Sequence, residues 1–360
     1  MVSRISAYGH RIYTVKKHAI IPIFIPHLGC PHKCVFCNQS LITARKAPVS
    51  ESDVRTVIDT YLSTLGALNP SEIEIAFYGG SFTGIPVALR TEYLKIAKSY
   101  IDAGRAGGIH LSTRPDYISE EILDNLAVYG VKCIELGVQS FDDRVLSAAK
   151  RGHDADTVRR SSQMIKEYGF NLGIQLMIGL PCDSYESCVY SAEETVRLAP
   201  ELVRLYPTLV IDNTELYDMY VCGSYIPLTQ DEAVTTTAAM YRILRGAGIT
   251  IMRVGLKSTD IISSGTISRI NGGTYHPAFR QLVEGRIAYE DISAMLPPPQ
   301  RREPPLKVDV FSSPSWFSCM IGNGQVNKKR FAAERPDLSI KYMTDKSLPP
   351  GQFIVTLKKQ

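Results

Sequence analysis

The sequence contains no long apolar run near its start and no strong excess of charge of either sign. The apolar stretch Ile20 to Ile25 is too short to cross a membrane, and Pro22 interrupts it. The segment before it carries Arg, Lys and His residues instead of the apolar centre of a signal peptide. These absences argue against a secretory or membrane protein, so we expect a cytoplasmic protein with no membrane association.

The charge balance is nearly even, which limits the class of partner. Lys and Arg number 40 and Asp and Glu 36, so the formal net charge is +4. That density is low for a dedicated nucleic-acid-binding domain, although it permits an anionic partner. Apolar residues make up 44% of the 360 residues. This is enough to bury a large core, in one domain or in one domain with an appendage.

Cysteine is scarce but unevenly distributed. Eight cysteines in a chain of 360 residues are too few for a disulfide scaffold. Three of them crowd into one loop: Cys30, Cys34 and Cys37. The other five show no paired metal spacing, and we expect core packing for Cys133, Cys182, Cys188, Cys222 and Cys319. The crowded loop therefore predicts a metal site.

Between residue 20 and about residue 210, short apolar runs alternate with longer amphipathic stretches. The predicted strands are Ile20–Ile25, Ile73–Phe77, Ile109–Leu111, Cys133–Gly137, Leu172–Met177 and Leu202–Leu205. The predicted helices are Glu51–Leu65, Val87–Tyr100, Ser119–Val128, Asp142–Ala149, Ala155–Tyr168 and Tyr185–Leu198, with Ser50 and Ser119 as N-cap types. Six such units predict an α/β fold, a partial (β/α)6 barrel whose functional loops lie at the carboxyl ends of the strands.

Beyond residue 210 the pattern loosens. A helix around Asp231–Arg245 and a strand around Ile249–Val254 are predicted. The Gly/Ser-rich stretches Ser263–Gly265 and Asn271–His276 suit a flexible lid, a substrate loop or a plain solvent loop. Proline runs at 297–299 and 304–305 predict a connector. We therefore predict a basic segment at 1–19, a core at 20–255, a C-terminal α+β extension at 256–300 and a small tail at 301–360.

The three clustered thiols suit an iron–sulfur cluster. Three thiolates bind three irons of a cubane and leave the fourth iron open for another ligand. Zinc is an alternative, because a tetrahedral site needs a fourth ligand and His27 or His32 lies nearby. Free thiols that only pack are a third interpretation, which three cysteines in one polar loop argue against.

The spacing C-x3-C-x2-C, with Phe36 before the third cysteine, resembles the signature of the radical S-adenosylmethionine (SAM) superfamily. Further segments are similar to the radical domain of the Elongator catalytic subunit, which modifies tRNA wobble uridines. They are Phe77-Tyr78-Gly79-Gly80-Ser81-Phe82, Thr113-Arg114-Pro115-Asp116, Glu135-Leu136-Gly137-Val138-Gln139-Ser140, Arg151-Gly152-His153 and Leu205–Ile211. The resemblance implies a [4Fe-4S] cluster held by Cys30, Cys34 and Cys37, and reductive cleavage of SAM to a 5′-deoxyadenosyl radical.

The resemblance also implies which residues bind SAM. Gly79 and Gly80 receive the amino group through backbone carbonyls, because a side chain would block the approach. Arg151 suits the carboxylate as a bidentate partner, whereas Arg114 fits a surface arginine or a helix-cap ion pair equally well. The predicted SAM contacts are Phe36, Tyr78, Gly79, Gly80, Ser81, Thr113, Gln139, Ser140, Arg151 and Gln175.

One part of the Elongator subunit has no counterpart in the sequence. That subunit continues into an acetyltransferase domain, which is longer than the roughly hundred residues after Ile251. The residues after Pro305 also lack a Gly-rich pyrophosphate-binding turn between a strand and a helix. We therefore expect no reaction with acetyl-CoA in this chain.

Two basic segments are candidates for RNA contacts. The first is the His10-Arg11 and Lys16-Lys17-His18 cluster before the first strand. The second places Asn327-Lys328-Lys329-Arg330 beside Asn323 and the aromatic residues Trp316 and Phe331. Both also fit solvated surfaces.

The main hypothesis is a radical SAM enzyme that modifies RNA, in particular a tRNA nucleoside, and receives electrons from an external donor. The barrel motifs concern cofactors and not the substrate, so radical modification of a peptide, a protein or a small metabolite stays open. A third, non-catalytic hypothesis is an RNA-binding adaptor that keeps the cluster only for structure.

Overall fold

The computed structural model describes residues 18–25, 33–38, 49–66, 68–256, 270–300 and 303–358. These residues divide into two compact units, one ending at Pro277 and the other beginning at Ala278. Some predicted features lie outside the described residues: Cys30, His27, His32, the basic residues up to Lys17, and Ser263–Gly265. The four-part division predicted from the sequence stays a prediction. None of the described helices is long and apolar enough to cross a membrane.

The larger unit is built on a curled parallel sheet. Its strands are β1 (Ala19–Ile25), β2 (Ile73–Gly79), β3 (Gly108–Thr113), β4 (Val131–Gln139), β5 (Asn171–Ile178), β6 (Leu202–Pro207), β7 (Leu209–Ile211), β8 (Thr250–Val254) and β9 (Ile270–Gly273). Seven of them form one parallel sheet in the order β1-β2-β3-β4-β5-β6-β8, an open barrel. The predicted α/β partial barrel is confirmed, and the six predicted strands are neighbours in it.

Helices join the successive strands. They are α1 (Glu51–Thr64), α2 (Val87–Asp102), α3 (Glu120–Val128), α4 (Asp143–Ala148), α5 (Ala155–Glu167), α6 (Tyr185–Leu198), α7 (Glu215–Val221) and α8 (Gln230–Gly246). Both predicted N-caps are confirmed. Ser50 Oγ accepts from Asp53 N at 3.2 Å, and Ser119 Oγ accepts from Ile122 N at 3.4 Å. Each hydroxyl satisfies a backbone donor that the first helical turn leaves without a partner.

The strand predicted around Ile249–Val254 is the seventh strand of the same sheet. β8 pairs in parallel with β6, with Thr250 opposite Leu202. Helix α8 supplies the crossover between the two strands. The short elements β7 and α7 lie between β6 and α8 in the sequence. They interrupt the regular alternation of strand and helix, so the sequence pattern shows only six βα units.

The prediction of a flexible loop for Asn271–His276 is wrong for the first half of this stretch, which belongs to strand β9. β9 pairs antiparallel with β7, with Gly272 opposite Val210. Gly273 has a φ of +84°, and a Cβ there would clash with the Thr208 carbonyl oxygen. The glycines that suggested flexibility therefore permit a close approach of two strands.

The smaller unit is a separate α+β element. It contains α9 (Phe279–Met295), β10 (Leu306–Ser312), α10 (Phe317–Ile321), α11 (Val326–Glu334), β11 (Leu338–Thr344) and β12 (Phe353–Leu357). β10 is central, parallel to β11 and antiparallel to β12. Trp316 and Phe331 are 7% and 2% exposed and belong to the hydrophobic core of this unit. The hypothesis that these two aromatics stack on RNA bases is therefore wrong.

Candidate functional site

One cavity of about 750 Å³ lies inside the curled sheet of the larger unit. Residues from β1 to β8 line it, together with the turn that carries Cys34 and Cys37. The predicted site residues among its lining are Cys34, Phe36, Cys37, Tyr78, Gly79, Gly80, Ser81, Thr113, Gln139, Arg151 and Gln175. A volume of this size is in the range of cofactor and substrate pockets.

Cys34 and Cys37 share one tight turn, which the Cys37 N–H closes by donating to the Cys34 carbonyl at 3.0 Å. Backbone hydrogen bonds hold this turn on both sides. Val35 N–H donates to Ala149 O at 3.2 Å, and Leu216 N–H donates to Val35 O at 2.8 Å. The Val35 side chain is buried among apolar neighbours. The two thiols therefore sit on a well-anchored segment at the cavity wall.

Arg151 lies directly against the cysteine turn. Its Nη1 donates to Cys34 Sγ at 3.1 Å, its Nη2 donates to the Gly137 carbonyl at 2.6 Å, and its guanidinium lies 5.9 Å from the Phe36 ring centre. Its Nε is buried without a hydrogen-bond partner in the described structure. Burial lowers the pKa of Arg151, while the nearby Cys34 opposes this change.

A second arginine, Arg114, approaches the same sulfur, although the sequence favoured no role for it. Its Nη1 lies 3.8 Å from Cys34 Sγ, and its Nη2 donates to the Arg151 carbonyl. Asp116 holds the Arg114 guanidinium with two contacts of 2.9 and 3.0 Å. Two buried guanidinium groups therefore flank one sulfur of the cysteine turn.

The end of β2 forms another part of the wall. Gly79 has a φ of +112°, which side chains rarely adopt. The Thr113 hydroxyl at the end of β3 pairs with the Thr83 hydroxyl at 2.5 Å, which in turn contacts the Tyr117 carbonyl at 2.8 Å. The predicted glycine and threonine positions are thus adjacent at the carboxyl ends of neighbouring strands.

A register shift at the end of β4 directs Gln139 into the cavity. The pairing with β5 is irregular between Gly137 and Gln139, and Gln139 has a φ of +75°. Gln175 Nε2 donates to Gln139 Oε1 at 3.2 Å. Ser140 is not among the described residues that line the cavity. Its hydroxyl faces helix α6, 3.3 Å from Ser191 Oγ.

A row of buried charges inside the barrel was not predicted from the sequence. His110 lies between Glu74 and Glu135, with nitrogen–oxygen distances of 3.4 and 3.5 Å. Arg204 Nε donates to Glu135 at 2.7 Å. The sequence carries a signal for this row, because each of these residues stands between two apolar residues of its strand, and a buried charge there needs a partner.

The remaining cysteines do not form a second metal centre in the described part of the chain, where no group of three or more His, Cys, Asp or Glu residues could hold an ion. Cys133, Cys188 and Cys319 are buried, as expected. The expectation of core packing is wrong for Cys182 and Cys222, which are exposed because each lies in a loop or at a helix end.

A family model described as the radical SAM superfamily matches residues 24–195, and one described as the radical SAM C-terminal domain matches residues 200–289. The chain belongs to the radical SAM superfamily. It is a radical SAM enzyme, and its cofactors are a [4Fe-4S] cluster and SAM, as the resemblance implied. The non-catalytic hypothesis is set aside, because this is a superfamily of enzymes.

Individual relatives of this radical SAM enzyme agree with the resemblance. The tRNA uridine(34) acetyltransferase of Methanocaldococcus infernus is 28% identical over 262 residues, covering 62% of this chain and 49% of that protein. Elongator complex protein 3 of Schizosaccharomyces pombe is 24% identical over 304 residues, covering 69% and 56%. The structure of the archaeal Methanocaldococcus infernus Elp3 with an N-terminal deletion matches with a TM-score of 0.60 and 22% identity, covering 77% of this chain and 64% of that chain. The chain spans about half the length of these two curated relatives.

The cavity of this radical SAM enzyme fits both cofactors. Cys34 and Cys37 are thiols on one anchored turn, and the two guanidinium groups near Cys34 suit an anionic sulfur ligand. The buried Arg151 Nε–H has no partner in the described residues, which suits an anionic group of a ligand in the cavity. Together the bound cofactors supply a 5′-deoxyadenosyl radical. Apolar walls such as Phe24 and Leu209 help to exclude water from the interior.

Proposed function

We propose that this radical SAM enzyme modifies a nucleoside of tRNA, with uridine 34 as the position that the Methanocaldococcus infernus relative suggests. The observation that carries the proposal is the barrel cavity, which joins the Cys34–Cys37 wall to a polar interior able to bind a base. A nucleobase that undergoes chemistry must leave its stack and enter such a pocket.

We assign roles to the residues as follows. Cys30, Cys34 and Cys37 bind the cluster, although Cys30 lies outside the described residues. The SAM contacts are Phe36, Tyr78, Gly79, Gly80, Ser81, Thr113, Gln139, Arg151 and Gln175, all of which line the cavity. Ser140 supports this set indirectly, because its Oγ accepts from the Asp142 N–H at 3.1 Å and so fixes the loop after Gln139.

The test uses anaerobically reconstituted protein with dithionite, SAM and a tRNA transcript. We expect formation of 5′-deoxyadenosine, stimulated by tRNA, and a new mass on a uridine after nuclease digestion. The Cys34→Ala variant is the control and should form none. Turnover that tRNA leaves unchanged, with no modified nucleoside, would contradict the RNA substrate and favour a peptide or metabolite.

Two finer predictions are checked in the same assay. Acetyl-CoA should leave both the rate and the product mass unchanged, and an added acetyl-derived mass would contradict the expectation drawn from the sequence. A physiological reductant should replace dithionite, because the reaction needs an external electron donor.

A further inference from the structure

Four charged side chains of alternating sign form a row in the interior of the sheet, on strands β2, β3, β4 and β6. His110 on β3 lies between Glu74 on β2 and Glu135 on β4, with its two imidazole nitrogens 3.4 and 3.5 Å from their carboxylate oxygens and outside hydrogen-bond geometry. Arg204 on β6 then binds Glu135 at 2.7 Å. Glu135, His110 and Arg204 are at most 5% exposed.

The neighbours in this row keep its members charged. Burial alone would raise the pKa of Glu135, but Arg204 and His110 lower it below its ordinary value. Burial alone would lower the pKa of His110, but Cys133, Glu135 and Glu74 raise it well above its ordinary value. Glu135 is therefore a carboxylate at neutral pH, and the row contains two negative and two positive groups.

Only one end of the row reaches the cavity. Glu135 and Arg204 line it, whereas His110 and Glu74 are not among the described lining residues. Two phenol groups flank Arg204: Tyr78 Oη at 2.5 Å and Tyr206 Oη at 3.4 Å, both on residues that line the cavity. The cavity floor thus presents a fixed acceptor and a fixed donor between aromatic rings.

Stability alone gives little reason for this arrangement. Buried ion pairs lose about as much in desolvation as they gain in attraction, and apolar residues of similar volume often serve as well. Ligand recognition is a better reason. The Glu135 carboxylate is an acceptor and the Arg204 guanidinium is a donor, and together they match the adjacent N–H and carbonyl on the Watson–Crick edge of a base.

We propose that Glu135 and Arg204 determine substrate specificity by reading the edge of a uracil ring, with the Glu135 carboxylate accepting from N3–H and the Arg204 guanidinium donating to the adjacent carbonyl. This inference rests on the proposed function. His110 is a positioning residue that holds the Glu135 carboxylate from behind.

The experiment measures 5′-deoxyadenosine formation by the reconstituted enzyme with an anticodon stem–loop RNA. One RNA carries uridine at the target position, and the second carries 3-methyluridine, which has no N3–H to donate. We expect the methylated RNA to stimulate wild-type protein at least about tenfold less, which corresponds to the loss of one hydrogen bond to a charged group. This arm needs no protein variant.

Glu135→Gln and Glu74→Gln form a matched pair, because each removes one negative charge beside the same imidazole and only Glu135 reaches the cavity. We expect Glu135→Gln to raise the KM for the uridine RNA about tenfold. We expect Glu74→Gln to leave that KM within about threefold, because it changes charge near His110 without touching the substrate. Far-UV circular dichroism and the visible absorbance of the cluster report whether both variants fold correctly.

Two results would overturn the inference while leaving the proposed function intact. One is equal stimulation by the two RNAs. The other is an equal loss in Glu74→Gln and Glu135→Gln, which would assign the row a structural role. Failure of the uridine RNA to stimulate wild-type protein at all would instead contradict the proposed function, and the inference with it.

Discussion

The Arg151 guanidinium donates a hydrogen bond to Cys34 Sγ at 3.1 Å across 117 positions of sequence. From the family resemblance, Arg151 is expected to bind the SAM carboxylate. In the structure Arg151 contacts the predicted cluster ligand Cys34, and its Nε–H has no hydrogen-bond partner among the described residues. A cationic donor to a ligating sulfur stabilises the more negative, reduced cluster, because hydrogen bonds to sulfur and nearby charge set its potential.

Replacing Arg151 by methionine should therefore lower the midpoint potential of the cluster while the brown chromophore is retained. Arg151→Lys should give an intermediate value, because it keeps the charge and loses the planar fork. Arg144→Met is the control, since the Arg144 side chain is 82% exposed. A redox titration monitored by electron paramagnetic resonance measures the shift, and an unchanged potential in Arg151→Met would contradict the expectation.

Gly79→Ala should weaken SAM binding as well as stability. An L residue forced to positive φ costs about 1–2 kcal/mol. Gly104 is a matched control, because it has a φ of +66° and no described atom lies within 4 Å of the place that an added methyl group would take. Both variants should unfold at lower temperature. Only Gly79→Ala should also raise the dissociation constant for SAM, by about tenfold. Equal SAM affinity in the two variants would argue against the assignment of Gly79.

His153 should make stability fall as the pH is lowered. Burial, with help from Arg151 and Arg114, lowers its pKa from 6.5 to about 4. Between these values the unfolded chain takes up a proton that the folded chain does not, so folding stability decreases as the pH falls from 6.5 towards 4. One proton contributes at most about 1.4 kcal/mol per pH unit. His153→Gln should flatten this part of the profile in thermal unfolding, and an unaltered slope would exclude His153 as its source.

Phe331→Ala should destabilise the smaller unit by about 3–5 kcal/mol, because it removes a large side chain from a packed core. Lys328→Ala, on the same helix, should change stability by less than about 0.5 kcal/mol. Chemical denaturation of the full chain measures both. A Phe331→Ala protein with normal stability and lost RNA binding would restore the base-stacking hypothesis.

The sequence predicted those parts of the fold that depend on local pattern. The strand runs, the Ser50 and Ser119 caps and the cysteine spacing need only neighbouring residues. The pairing of Glu135 with Arg204 could not be predicted in this way, because the two lie 69 positions apart and meet only through the register of three strands.

Other misses had a readable cause. Ser140 follows the register shift that directs Gln139 into the cavity, and its hydroxyl faces Ser191 of α6 instead. Trp316 and Phe331 lie near lysines in the sequence, but a unit of this size needs its aromatic residues to fill a core. Neither the register shift nor the packing of these aromatic residues can be recognised from composition and spacing alone.

The backbone bonds from Val35 to Ala149 and Leu216 bear on how the holoenzyme matures. They use peptide groups, so the turn is held by the folded polypeptide itself and independently of any iron. Folding of the chain already orders Cys34 and Cys37. The entropy cost of ordering these two cysteines therefore does not oppose the later insertion of iron and sulfide. The cluster can accordingly be inserted after the chain has folded, because two of its thiol ligands are already held in position.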